Sequence, residues 1–277
     1  MRGGRVRKPL LPGLNTLIDK ELDRIRLDLL LSEGATRQSL EIQDREYAVV
    51  LIRGRVQCSC PGGDSYDLGP RGSPFVDKPW ALLVSESGVL EILLSQDSLV
   101  AVASAPVQSR YPTQLVTSEE VREKERGREN WKRKVRLVCW SDNTSGEQLL
   151  IGETVTPSGN WSTIPPHRHA QYVAGDDGPE EVPYEEVYCY QFSRPTGFGI
   201  NLQFDKDGTD DAYSLRSGDA VYIDGGYHPV VCAPGADMYQ LTVMAGPYRQ
   251  STAAIHPDYR YLLGEGGDNP FRKQESP

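Results

Sequence analysis

No stretch of this 277-residue chain approaches the roughly 20 consecutive apolar residues that cross a bilayer, so no membrane-spanning helix is expected. Basic charge is not in excess either. The net charge is −9 and the sequence pI about 5.1, the wrong sign for a nucleic-acid binder. Nucleic acid and membrane are therefore set aside as partners. The cysteines are few and odd in number (Cys58, Cys60, Cys139, Cys189 and Cys232), which is no disulfide framework. Reduced thiols in a cytoplasmic protein are the expectation. The N-terminus, MRGGRVRKPLLPGLNTLIDK, lacks a signal-peptide core and is read as a frayed basic arm in preference to a transit peptide. Histidine is scarce: there are four, and none precedes His167. A site built on imidazoles must lie in the second half.

Turn residues, by contrast, are abundant, with 27 glycines and 20 prolines punctuating short apolar runs. That pattern predicts many short strands and few helices. Strands are expected at 47–52, 54–60, 80–84 and 89–94, with turns at 61–64 and 69–72. A second set is expected at 135–140, 149–155, 186–193, 199–204, 220–223 and 238–244. Between the sets, the charge run SEEVREKERGRENWKRK (118–134) reads as a solvated connection with a helical turn or two at most. The fold class is thus all-β, two antiparallel barrels, divided as 1–125 and 126–277, the first without metal and the second with it.

Three of the four histidines fall in two tight contexts. His167-Arg168-His169 follows Gly159, Trp161 and a Pro165-Pro166 pair, and Glu185-Glu186 comes shortly after; Gly218-Asp219 and Gly225-Gly226 lead to His228. Residues two apart on a strand share a face, so His167 and His169 can point together. With Glu186 and His228 they make a set that suits one divalent ion: zinc or manganese first, iron or nickel also compatible, with one or two positions open. Alternation selects Glu186 over Glu185 as the ligand and places Tyr188 and Tyr190 on the same face. Glu185, Tyr188 and Tyr190 are the candidates to move a proton. The acids of the intervening loop (Asp176, Asp177, Glu180 and Glu181) read as solvated.

This arrangement resembles the two cupin motifs, with a longer gap between His169 and Glu186 that implies a loop, 170–183, at the barrel mouth, and Asp224 where a proline is common. With its flanks it is similar to the 5-deoxyglucuronate isomerase family of inositol catabolism. The strings that carry the likeness are 153–162, Pro165 to His169, Glu185 to Tyr188, Gly197-Phe198-Gly199, Gly226 to Val230, and Val243 to Pro247 with Arg249. More loosely, 46–50, 54–56 and 71–75 agree in the first half, so the likeness runs from about 25 to 262. It implies a bicupin, a metal on His167, His169, Glu186 and His228, and an aldose–ketose isomerisation of a deoxy sugar acid, 5-deoxyglucuronate to 5-dehydro-2-deoxygluconate. Asn201-Leu202 stand where a Gln-Arg pair is usual, Gln240 and Thr242 replace a tyrosine and an asparagine, and Ala170 replaces an aspartate. Asn201, Gln240 and Arg249 are the expected substrate contacts, Arg249 as a bidentate clamp on the carboxylate.

The rival readings are an iron-dependent cupin dioxygenase, which iron content and oxygen uptake would identify, and a sugar-binding barrel without catalysis. Fold alone separates none of them. A homo-oligomer is compatible with the sequence.

Overall fold

In the computed structural model, which describes residues 3–176 and 178–264, the chain is built almost wholly of antiparallel strands. The first half is organised around one 15-residue strand, Arg45–Ser59. Its first part pairs with Ala81–Val84 and Leu99–Pro106, its second with Ser65–Arg71 and Gly88–Leu94. Two strands expected from sequence are therefore one. The break at Gly54 is a bend within it: Gly54 sits at φ +92°, where a Cβ would fall 2.2 Å from the Ser98 hydroxyl, so glycine is required. The expected turn at 69–72 is likewise mostly strand, since Ser65–Arg71 pairs back along Arg45–Ser59 as far as Gly54.

The second half centres on Glu185–Phe192, flanked by Ala220–Ile223 and Met238–Ala245, and beyond the latter by Leu149–Thr156, Arg133–Cys139 and Arg122–Arg126. Its other wall is the sheet of Trp161–Ser162, Val230–Cys232, Gly199–Phe204 and Asp210–Leu215. Two expectations need correcting here. The charge run is not a linker, because Arg122–Arg126 pairs residue by residue with Arg133–Leu137 as an edge strand of the second barrel. Lysine and arginine are common on such edges, where charge discourages further pairing. Nor is the N-terminal arm frayed: Gly4–Val6 pairs with Ala220–Tyr222, and Arg7 grips Asp219 at 2.8 and 2.5 Å. Three residues give too little periodicity to announce a strand.

Alternation along the central strands separates three apolar layers. Val49 and Leu51 fill the first barrel with Val56, Leu90 and Val100. Tyr188, Tyr190 and Phe192 fill the second with Ile223, Val230 and Met238. Ala48 and Val50 on one side, and Val187 and Cys189 on the other, belong to the largest core, between the two sheets. These are the stacked jelly-roll barrels of a bicupin. Their seam holds a fully buried ionic cluster. Arg71 clasps Glu153 through two 2.8 Å bonds, Arg136 reaches the same carboxylate, and the Tyr239 hydroxyl donates to it at 2.8 Å. Among the described residues no helix is long and apolar enough to cross a membrane.

Candidate metal centre

Glu186 stands one residue inside the central strand, opposite Ile223 and Met244, with its side chain toward the second barrel's interior. His167 begins a two-residue strand paired with Ile255, and His169 follows just beyond it. His228 leaves a turn whose Gly225 and Gly226 adopt φ of +127° and +77°. A Cβ on Gly226 would lie 3.1 Å from the Phe204 carbonyl oxygen, so the close approach that delivers His228 needs glycine. All four side chains are buried.

The ligand atoms of His169, Glu186 and His228 lie within 4.8 Å of one another. His167 adjoins this triad, its ring centroid 5.0 Å from that of His228, with His169 5.1 Å from His228 on the other side. Each imidazole is held in the same way. Nδ1 faces a backbone carbonyl: Pro165 for His167 at 3.0 Å, Tyr184 for His169 at 3.1 Å, Gly226 for His228 at 3.0 Å. A carbonyl can only accept, so Nδ1 is the donor in each ring, which leaves Nε2 as the remaining nitrogen. This is how metal-ligating histidines are oriented. Nε2 of His169 and of His228 lie 2.8 and 3.2 Å from the same oxygen of Glu186, and the latter nitrogen makes no hydrogen bond. Burial pushes the His167 imidazole well below its ordinary value, and its histidine neighbours push it further. Burial alone would raise the Glu186 carboxyl, yet His169 and His228 hold it far below the usual range. Buried imidazoles around an ionised carboxylate, with a buried nitrogen that no hydrogen bond satisfies among the described residues, fit a divalent cation.

Above the centre opens a cavity of about 980 Å³. Of the three proton-transfer candidates, Tyr188 alone lines it. Burial, then the nearby Glu186 charge, pushes its hydroxyl well above its ordinary value, so it is a neutral donor. Tyr190 lies deeper, beside Asn201, whose Nδ2 is 3.5 Å from the Tyr190 hydroxyl. Glu185 must be withdrawn as a base. It belongs to the face turned to the first half, where it accepts the backbone N–H groups of Asp23, Arg24 and Ile25 at 3.1, 2.8 and 3.0 Å.

Among the substrate contacts, Gln240 lines the cavity with its carbonyl oxygen unpartnered. Asn201 is fully buried and does not line it. Arg249 reaches the wall, but Nε donates to Leu149 O at 2.8 Å and both terminal nitrogens donate to Thr144, so it is no free clamp. Glu181, read as solvated, is buried. It accepts Ala170 N–H at 2.8 Å and pairs with Arg168, tying down the loop 170–183, none of whose residues lines the cavity. Asp176 and Glu180 are exposed, and Asp177 lies outside the described residues. The sequence reading missed Trp131 and Arg133 in the cavity wall. A tryptophan inside a charge run was the available signal.

The model of the KduI/IolB family matches residues 23–262. A 5-deoxy-glucuronate isomerase of Geobacillus kaustophilus is 33% identical over 236 residues, covering 84% of this chain and 83% of that protein. One from Bacillus subtilis strain 168 is 29% identical over 250 residues, 90% of this chain and 91% of that protein. Among solved structures, an IolB-like protein from Salmonella typhimurium LT2 superposes with a TM-score of 0.86 at 25% identity, covering 95% and 99% of the two chains. An oxalate decarboxylase of Lactobacillus farciminis superposes at 0.62 with 10% identity, covering 94% and 88%, a likeness of fold alone.

Proposed function

This chain belongs to the KduI/IolB family, and we propose that it is an aldose–ketose isomerase that converts a deoxy sugar acid, 5-deoxyglucuronate, into 5-dehydro-2-deoxygluconate in inositol breakdown. The observation that carries this reading is the buried His169–Glu186–His228 triad, with His167 beside it, at the base of the cavity. One divalent ion per chain, zinc or manganese in preference to iron or nickel, would sit there and act as a Lewis acid toward a sugar's carbonyl and hydroxyl oxygens. The remaining steps belong to the protein. Tyr188, neutral and facing the cavity, holds a proton at its hydroxyl oxygen, ready for a developing enediolate. Gln240 offers its unpartnered carbonyl oxygen to a substrate hydroxyl. Tyr190 and Asn201 support Tyr188 from below, where the two tyrosine rings meet edge to face at 6.1 Å.

The partner is a small-molecule sugar acid, and five buried free thiols support a reducing, cytoplasmic setting. The direct test follows 5-deoxyglucuronate in deuterated water by NMR. Formation of the ketose with metal-dependent carbon–proton exchange is expected. No turnover of any uronic-acid aldose by metal-loaded protein would end the isomerase reading.

A further inference from the structure

The cavity wall contains an arginine that the reading above leaves without a task. Arg133 is 7% exposed. Its two terminal nitrogens donate to Trp131 O at 3.2 Å and Ile164 O at 3.0 Å, and no carboxylate among the described residues forms an ion pair with it. The acids of the neighbouring strand are taken: Glu123 by Arg136 and Lys134, Glu125 by Lys132. Opposite Arg133 in the ladder is a second cation, Arg126, which lines the same cavity. The contrast with Arg71 and Arg136 is direct, since those guanidiniums, also buried, share Glu153. Arg45, also without an acid, satisfies itself on Ser104 and the Arg24 carbonyl, away from the cavity.

Burying a cation beside another cation without an anion is costly, and such a group is retained where something else supplies the charge. Arg133 has five N–H donors, of which carbonyls engage two. The Trp131 ring 5.7 Å from its guanidinium carbon fixes the plane of the fork. Arg133 lines the same cavity as His167, His169, Glu186 and Tyr188, and the carbonyl it holds, Ile164 O, lies three residues before His167, which puts the fork on the wall shared with the metal centre.

We propose that Arg133 is the carboxylate anchor of the site, receiving the acid end of the sugar while the other end faces His167, His169, Glu186 and His228. The inference rests on the sugar-acid reading and names the residue that makes the acid matter. A guanidinium takes a carboxylate in a two-pronged fork, which lysine cannot do. Arg126 and other cations of the wall, Lys124 and Arg128, then draw anions toward it.

The test uses metal-loaded full-length protein and a matched pair, D-glucuronate and D-glucose, titrated calorimetrically. Wild type should prefer the acid by about 10- to 100-fold, the worth of a charge-assisted bond. R133M should bring glucuronate down to the glucose level with metal content unchanged. Should R133M fail to fold, R133K, which keeps the charge without the fork, should still lose about 3- to 10-fold. Equal binding of acid and hexose by wild type, glucuronate bound by R133M as by wild type, or a fully tight R133K would each overturn the anchor. An Arg133-dependent preference in a protein that isomerises no sugar acid removes the isomerase reading and leaves the anchor. Full isomerisation by R133M does the reverse.

Discussion

Glu46 and Glu185 stand at the start of the central strands of the first and second barrels, second residue in one and first in the other, and each reaches across to the other half. Glu46 accepts the N–H groups of Glu147, Gln148 and Leu149 at 3.0, 2.8 and 2.6 Å, and Glu185 those of Asp23, Arg24 and Ile25. Their ladder partners correspond as well, Ala105 for one and Ala245 for the other. The two barrels thus share a frame, and the frame puts matching positions side by side. One residue beyond Glu46 come Tyr47, Val49 and Leu51, packed in an apolar interior. One residue beyond Glu185 come Glu186, Tyr188 and Tyr190. The same strand geometry serves packing in one barrel and presents the candidate ligand Glu186 in the other. The difference is made by the side chains, since the first half has no histidine to add.

The harshest way to break the comparison is to separate its terms. We propose that the halves, divided near residue 125, do not fold apart. Residues 126–277 alone would lose the strand Gly4–Val6, most of Arg122–Arg126, and Arg71 opposite Glu153. Aggregation on size-exclusion chromatography is expected, and a soluble, active fragment would refute it. Next in size, E186Q should lower turnover at least about 100-fold with loss of bound metal, whereas Y47F, at the matching position, should do neither. Metal analysis beside the rate checks both.

R71M exposes the seam itself. It leaves Glu153 buried with part of its neutralising charge gone, and denaturant unfolding should show a loss of about 3–5 kcal/mol. E46A and E185A each orphan three backbone donors and should cost comparable stability, about 1–3 kcal/mol. Their effects should part at the metal, where only E185A, adjacent to Glu186, weakens affinity. Equal effects on metal binding would mean that the clamp does not position the ligand.

The smallest effect is one of pH. Glu123 is partly desolvated, which alone would raise its carboxyl, but Arg136 and Lys134 outweigh this and hold it below its ordinary value. A depressed folded value contributes stability above the unfolded value, about 4.3, and loses it as pH falls through the folded one. The stability gap between wild type and E123Q should therefore close on acidification below that point and stay constant above it.

What the sequence disclosed follows its periodicity. Gly199–Phe204 and Ala220–Ile223 were legible residue for residue, the first an alternating run and the second a short apolar one, each bounded by turn residues. The triad was legible because three of only four histidines cluster around glycine and proline turns. Arg122–Arg126 was not, because an edge strand of alternating charge carries no apolar face to read. Glu185 and Arg249 were misplaced for a related reason. Sequence shows which residues can bind a substrate, but not that the other half, or a nearby carbonyl, has already engaged them. Arg133 escaped because its burial depends on a wall folded from Trp131 and Ile164, 33 residues apart in the chain.

In the division of labour proposed for the two barrels, one holds metal and the other holds none. The direct measurement is calorimetric titration of stripped, full-length protein with zinc or manganese, in wild type and in H228A. The prediction is one tight site per chain, lost or severely weakened in H228A. Two sites per chain, or a site untouched in H228A, would contradict it.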